Sequence, residues 1–136
     1  MQTVALPVAS AIAAGALIVG QMALMLGVVI IRRRAGPSLG DGGDPVLLAA
    51  VRRHGNYAEN AAIFVASLAL LEMLGAARPF VIGLATLFIL GRILHAIGLS
   101  QTKTANIWRV AGVFATVGAG VTLGVRLVTL AVTHLG

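Results

Sequence analysis

The apolar positions of this chain fall into four long runs divided by short polar stretches. The first run goes from about Val4 to Ile31 and stops at Arg32-Arg33-Arg34. Gly36-Pro37-Ser38 then breaks the helix, and Gly40-Asp41-Gly42-Gly43 makes a turn, because glycine and proline punctuate regular structure. Asp44-Pro45 begins the second run: aspartate caps free amides at a helix N-terminus, and proline is tolerated at the first helical position. One helix is expected over 45–74, with Arg52, Arg53, His54, Asn56 and Glu59 in its first turns. From Asn60 onward it is apolar except for Ser67 and Glu72. Gly75-Ala76-Ala77-Arg78-Pro79 is a tight turn into a third helix ending near Leu99. A loop through Gln101-Thr102-Lys103-Thr104 leads to a fourth helix from Ala105 to about Thr133. Trp108 stands at its start, where an indole prefers the membrane interface.

These runs approach or exceed the roughly 20 residues that a helix needs to cross a hydrocarbon core. The alternation of a membrane barrel is absent. The predicted fold is therefore all-α: an integral membrane four-helix bundle forming a single domain over residues 1–136, with helices of about 4–32, 45–74, 79–99 and 105–133. The first run has no basic start, is too long for a signal-peptide core and ends on arginines, so it reads as a retained helix.

Composition points the same way. Of the 136 residues, 59% are hydrophobic and only 10% charged, too few to cover a soluble surface. There is no cysteine, which excludes disulfides, thiolate metal sites and a cysteine nucleophile. The net charge of +6 would suit nucleic acid, but no basic soluble domain exists to carry that activity. Basic residues gather instead in the first loop and its flanks (Arg32, Arg33, Arg34, Arg52, Arg53) and around the third (Lys103, Arg109). The positive-inside bias puts those loops in the cytoplasm and both termini on the other side of the cell inner membrane.

The polar residues within the runs are the candidate chemistry, since ionisable groups in a membrane helix need a partner or a way to water. Arg52, Asn56 and Glu59 are spaced i, i+4, i+7, which places them on one stripe of the second helix. A cation, an amide and an anion on one face can grip a zwitterionic ligand. Equally, Arg52 can snorkel to lipid phosphates while Glu59 pairs internally, Arg92 at similar depth being its natural partner. Convergence of Arg52, Arg92 and Arg109 would instead favour an anionic ligand. His95 reads as a helix-packing histidine, and no metal-ligand constellation is present. The Gly-Asp-Gly-Gly-Asp loop lacks the Gly-Lys-Ser/Thr ending of a phosphate loop. Gln21 is expected to make an interhelical hydrogen bond, and Glu72 and Arg126 to snorkel outward at the far face. Gly112, Gly118, Gly120 and Gly124 would let the fourth helix approach a neighbour, the last two at GxxxG spacing.

Asp44-Pro45 followed by Arg52, His54, Asn56 and Glu59 resembles the second-helix signature of the MAPEG family, the membrane-associated proteins in eicosanoid and glutathione metabolism. Gly91-Arg92 with His95 is similar to that family's third-helix signature, and Ser38 to Pro45 resembles its bacterial branch. The resemblance implies a homotrimer binding glutathione between subunits near the cytoplasmic face. Carried over by position, Arg52, Asn56, Glu59 and Arg92 would bind glutathione and Arg109 would activate its thiol catalytically. This chain departs from the synthase members: Leu99 occupies the turn where they carry tyrosines, Asn60 follows Glu59 where a leukotriene-type member has tyrosine, and Gly55 and Ala49 replace basic residues. These departures argue against eicosanoid synthesis.

Two functions follow. One is a glutathione-dependent transferase or peroxidase acting on lipophilic electrophiles that arrive through the membrane lipid, with an arginine stabilising the thiolate. The other is a non-enzymatic membrane protein that keeps the fold for ligand binding or assembly. A small multidrug transporter also has four short helices, but its essential glutamate sits in the first helix, which here has no acidic residue.

Overall fold

The structure, a computed structural model, describes residues 6–100 and 106–135, so the expected helix starts at Val4 and Ala105 and the loop residue Lys103 lie outside the described residues. It is all-helical: α1 Val8–Ala35, α2 Pro45–Ala58, α3 Ala61–Met73, α4 Arg78–Gly98 and α5 Ile107–Thr133. Among the described residues α1, α4 and α5 are each long and apolar enough to cross a membrane. At 28 residues α1 is about 42 Å long, so it overreaches the hydrocarbon and carries its three terminal arginines into the headgroup layer.

The second apolar run is not the single helix expected over 45–74. It divides at Glu59–Asn60 into α2 and α3. Asn60 has φ −107° and ψ −3°, outside the helical well, and its carbonyl accepts the first bond of α3 from Phe64. Asparagine competes for backbone hydrogen bonds and has poor helix propensity, so this is where a break costs least. The start of α2 is built as its sequence suggests: the Asp44 carboxylate accepts from the Val46 amide at 2.7 Å and the Leu47 amide at 3.1 Å, with Pro45 at the first position. The loop before it leaves α1 through Gly36, whose φ of +92° is the left-handed conformation that closes a helix end. The Arg32 guanidinium fastens that loop by donating to the Gly40 carbonyl at 2.6 Å.

Packing is tightest between the antiparallel α4 and α5. A methyl group at Gly112 would lie 2.5 Å from the His95 amide nitrogen, and one at Gly98 would lie 2.6 Å from the Arg109 nitrogen. These glycines let backbone meet backbone. Of the glycines expected to serve close approach, Gly112 does so, whereas Gly118, Gly120 and Gly124 have open space where a side chain would go. The GxxxG pair is on the outside of the subunit because nothing within the subunit packs on it. The core is filled by α3, α4 and α1: Phe64 and Phe88 stack with ring centroids 3.8 Å apart, beside Leu17, Leu68, Leu71 and Leu84.

Two further expectations fail. Glu72 does not snorkel outward. It is 6% exposed and turned inward, where it accepts from the amides of Ala9 (3.0 Å) and Ser10 (2.8 Å) and from the Ser10 hydroxyl (2.7 Å). Pro7, at the cap position of α1, offers no side-chain acceptor, so a carboxylate from α3 takes that duty. Gln21, expected to bond across helices, is half-buried and makes no hydrogen bond among the described residues. Arg126 is exposed, as a snorkelling side chain is.

Candidate functional site

The break in the second run also creates the candidate site. Where α2 stops, the carbonyls of its last turn lose their helical partners. Arg92, reaching across from α4, supplies one: its Nη1 donates to the Asn56 carbonyl. Its Nη2 donates to Thr116 Oγ1 at 3.0 Å, and the Thr116 hydroxyl donates in turn to the Gly112 carbonyl at 2.7 Å. Arg92 is 5% exposed, with its guanidinium carbon 5.8 Å from the centre of the Phe88 ring, whose face attracts a cation. Its buried Nε has no partner.

The internal Glu59–Arg92 pair considered from the sequence is not formed. Glu59 attracts Arg92 through space, but no ion pair joins them among the described residues. Glu59 is exposed at the end of α2, as is Arg52, with Asn56 half-buried between them. The Asn56 amide Nδ2 donates to the Arg52 carbonyl at 2.9 Å, which uses one of its two N–H groups and leaves the side-chain Oδ1 available. The stripe thus presents a guanidinium, an amide oxygen and a carboxylate outward, over a buried guanidinium.

The remaining candidates are arranged around His95. This residue is buried, close to Gly112 of α5, and lies within electrostatic reach of Arg92, Arg109 and Glu59. Arg109 is half-buried in the first turn of α5. Asn106 positions that turn: its Oδ1 accepts from the Arg109 amide at 2.9 Å and its Nδ2 donates to the Gly98 carbonyl at 2.8 Å. The structure therefore gathers Glu59, Arg92 and Arg109 at one level of the bundle. Arg52 stays at the exposed surface of α2.

Thr116 and Phe88, which hold and flank Arg92, carry no sequence signal beyond being a polar residue in an apolar helix and an aromatic one turn before the arginine. Among the described residues no group of histidine and acidic side chains could hold a metal ion. A groove of about 430 Å³ opens beside the site between α3 and α5, lined by Asn60, Ser67, Thr116, Gly120 and Gly124 among apolar side chains.

The family model that matches the chain is that of the MAPEG family, over residues 10–129. No curated protein matches the chain.

Proposed function

Because the chain belongs to the MAPEG family of integral membrane proteins, we propose that it binds glutathione on the Arg52–Asn56–Glu59 stripe and acts as a glutathione-dependent transferase or peroxidase, joining the intact glutathionyl thiolate to lipophilic electrophiles or using glutathione as the reductant of lipophilic peroxides. The observation that carries this reading is the unpaired charge of Arg92 behind the stripe. A buried guanidinium with no carboxylate bonded to it leaves local positive potential, which favours an anionic ligand. Glutathione has two carboxylates for Arg52 and the field of Arg92, an ammonium for Glu59, and amide donors for the Asn56 oxygen. Arg109 is assigned to the thiol, since a nearby cation lowers a thiol pKa and thiolate is the nucleophile. The working unit is a homotrimer in the cell inner membrane, with both termini on the non-cytoplasmic side and glutathione entering from the cytoplasm.

The test is calorimetry of glutathione binding to detergent-solubilised protein and its Glu59→Gln variant. Losing the charge-assisted bond to the ammonium, about 1.5–3 kcal/mol, predicts a roughly tenfold to hundredfold weaker affinity. Thermal stability should hold, because Glu59 is exposed and not bonded to Arg92. No binding to the wild type at millimolar glutathione, in protein that still melts cooperatively, would remove the proposal.

A second reading is favoured by one observation: both amines of Arg92 are committed to the fold, at Asn56 and Thr116. On that reading the chain is a non-enzymatic member that keeps the family's arginine for architecture. Thiolate absorbance of bound glutathione, lost in Arg109→Gln, separates the two.

A further inference from the structure

On a flank of α2, roughly 100–140° around the helix from Arg52, lies a second polar pair, Arg53 and Tyr57, that the proposed function does not use. Both line a groove of about 520 Å³ between α1 and α4, walled otherwise by apolar side chains such as Val19, Ile93 and Ile97. Arg53 donates from Nη1 to the Ser100 hydroxyl at 2.9 Å, while its buried Nε has no partner. No carboxylate lines the groove. Tyr57 is 6% exposed, its hydroxyl set against Gly20, where any side chain would collide with it, and that hydroxyl makes no hydrogen bond among the described residues. The ring is packed away while Tyr57 lines the open groove, so its hydroxyl is free to donate to a ligand there.

The vertical order of these groups is informative. Arg53 and Ser100 stand at the end of the bundle that carries the basic loop, where phosphates lie. Tyr57 is one helical turn further in, about 6 Å along α2. From Ile97 to Ile89 the wall of α4 then continues for about 12 Å of apolar surface. A glycerophospholipid presents the same sequence along its length: a phosphate, then an ester carbonyl just below it, then an acyl chain.

We propose that this groove is a binding site for one anionic glycerophospholipid of the leaflet on the basic-loop side. Its phosphate is held by Arg53, its ester carbonyl accepts from the Tyr57 hydroxyl, and one acyl chain fills the seam between α1 and α4. Charge complementarity selects the anionic head: Arg53 brings a cation to a groove with no anion of its own. The groove shares no lining residue with the proposed glutathione stripe, since Arg52, Asn56 and Glu59 do not border it.

The test is native mass spectrometry of delipidated protein titrated with phosphatidylglycerol or, separately, phosphatidylcholine. The expected result is saturation at one phosphatidylglycerol per subunit, with weaker retention of phosphatidylcholine. Arg53→Gln should reduce phosphatidylglycerol affinity about tenfold or more, and Tyr57→Phe, which keeps the ring packing, about threefold to tenfold. Arg34→Gln, a basic-loop change outside the groove, should have no such effect. Retention unchanged in both groove variants, or an equal loss in Arg34→Gln, overturns the proposal, as does equal retention of the two lipids. Occupancy of the groove by a neighbouring subunit, shown by a cross-link between a cysteine at Ile97 and one on another copy at full phosphatidylglycerol saturation, overturns it as well.

Discussion

Removing the Glu72 carboxylate should loosen one end of α1 while leaving the rest of the bundle folded. In the structure that carboxylate accepts three hydrogen bonds, from the Ala9 and Ser10 amides and the Ser10 hydroxyl, at a buried position. At about 1.5–3 kcal/mol for each bond to a charged acceptor, the three set an upper bound of roughly 4.5–9 kcal/mol for Glu72→Ala. Water can reach a helix end once the side chain is gone, which brings the expected loss down to about 3–5 kcal/mol, the usual consequence of stripping one partner from a buried charged contact. Glu72→Gln keeps an acceptor oxygen and loses the charge, so about 1–2 kcal/mol is expected, comparable to loss of an N-cap. Ser10→Ala deletes one bond of the three and should cost about 1 kcal/mol. Melting in mild detergent gives the totals, and hydrogen exchange at the Ala9 and Ser10 amides locates them. The double variant Ser10→Ala with Glu72→Gln should fall short of additivity by at least about 0.5 kcal/mol, because the two changes remove the same contact. Strict additivity, or a Glu72→Ala protein that melts within about 0.5 kcal/mol of the wild type, would refute the cap.

Three other outcomes are expected. Thr116→Val leaves Arg92 Nη2 without its acceptor and should cost about 1–3 kcal/mol of melting stability, a loss absent from Thr129→Val on the exposed part of α5. Gly98→Ala should destabilise by about 1–3 kcal/mol through overpacking, whereas Gly120→Ala, with open space around it, should be neutral or stabilising by up to about 1 kcal/mol in thermal melts. Native mass spectrometry in mild detergent should show trimers; monomers and dimers alone would count against a site shared between subunits.

Much of the architecture is legible because a bilayer imposes a simple grammar: apolar runs become helices, and arginines and glycines end them. Asp44-Pro45 announces its own cap, and the Arg52–Asn56–Glu59 stripe follows from helical spacing, both being local relations. What escapes the sequence is set by partners distant in the chain. Glu72 looks like a residue seeking water until α1 folds back and presents two bare amides 62 and 63 residues away. Glu59 and Arg92 share a depth, and charge alone nominates them as a pair. The break at Asn60 offers Arg92 a backbone carbonyl instead. Spacing singles out Gly120 and Gly124, and of the fourth-helix glycines expected to meet a neighbour Gly112 does so, but its counterparts on α4, Gly91 and Gly98, are distinguished only by which helix lies opposite.

The contact between α4 and α5 limits how the protein can move. With backbone against backbone at Gly91, Gly98 and Gly112, neither helix can slide or roll on the other without collision. The pair behaves as one rigid spine, and Arg92, His95 and Arg109 ride on it with fixed separations. Any motion that admits or releases a ligand would then fall to α2, flanked by the positive-φ glycines between Gly36 and Gly43 and by the break at Asn60, since α1 is tied to α3 through Glu72. The charges that would meet a ligand's reactive end are thus stationary, while Arg52, Asn56 and Glu59, which would grip its body, ride on the moving arm.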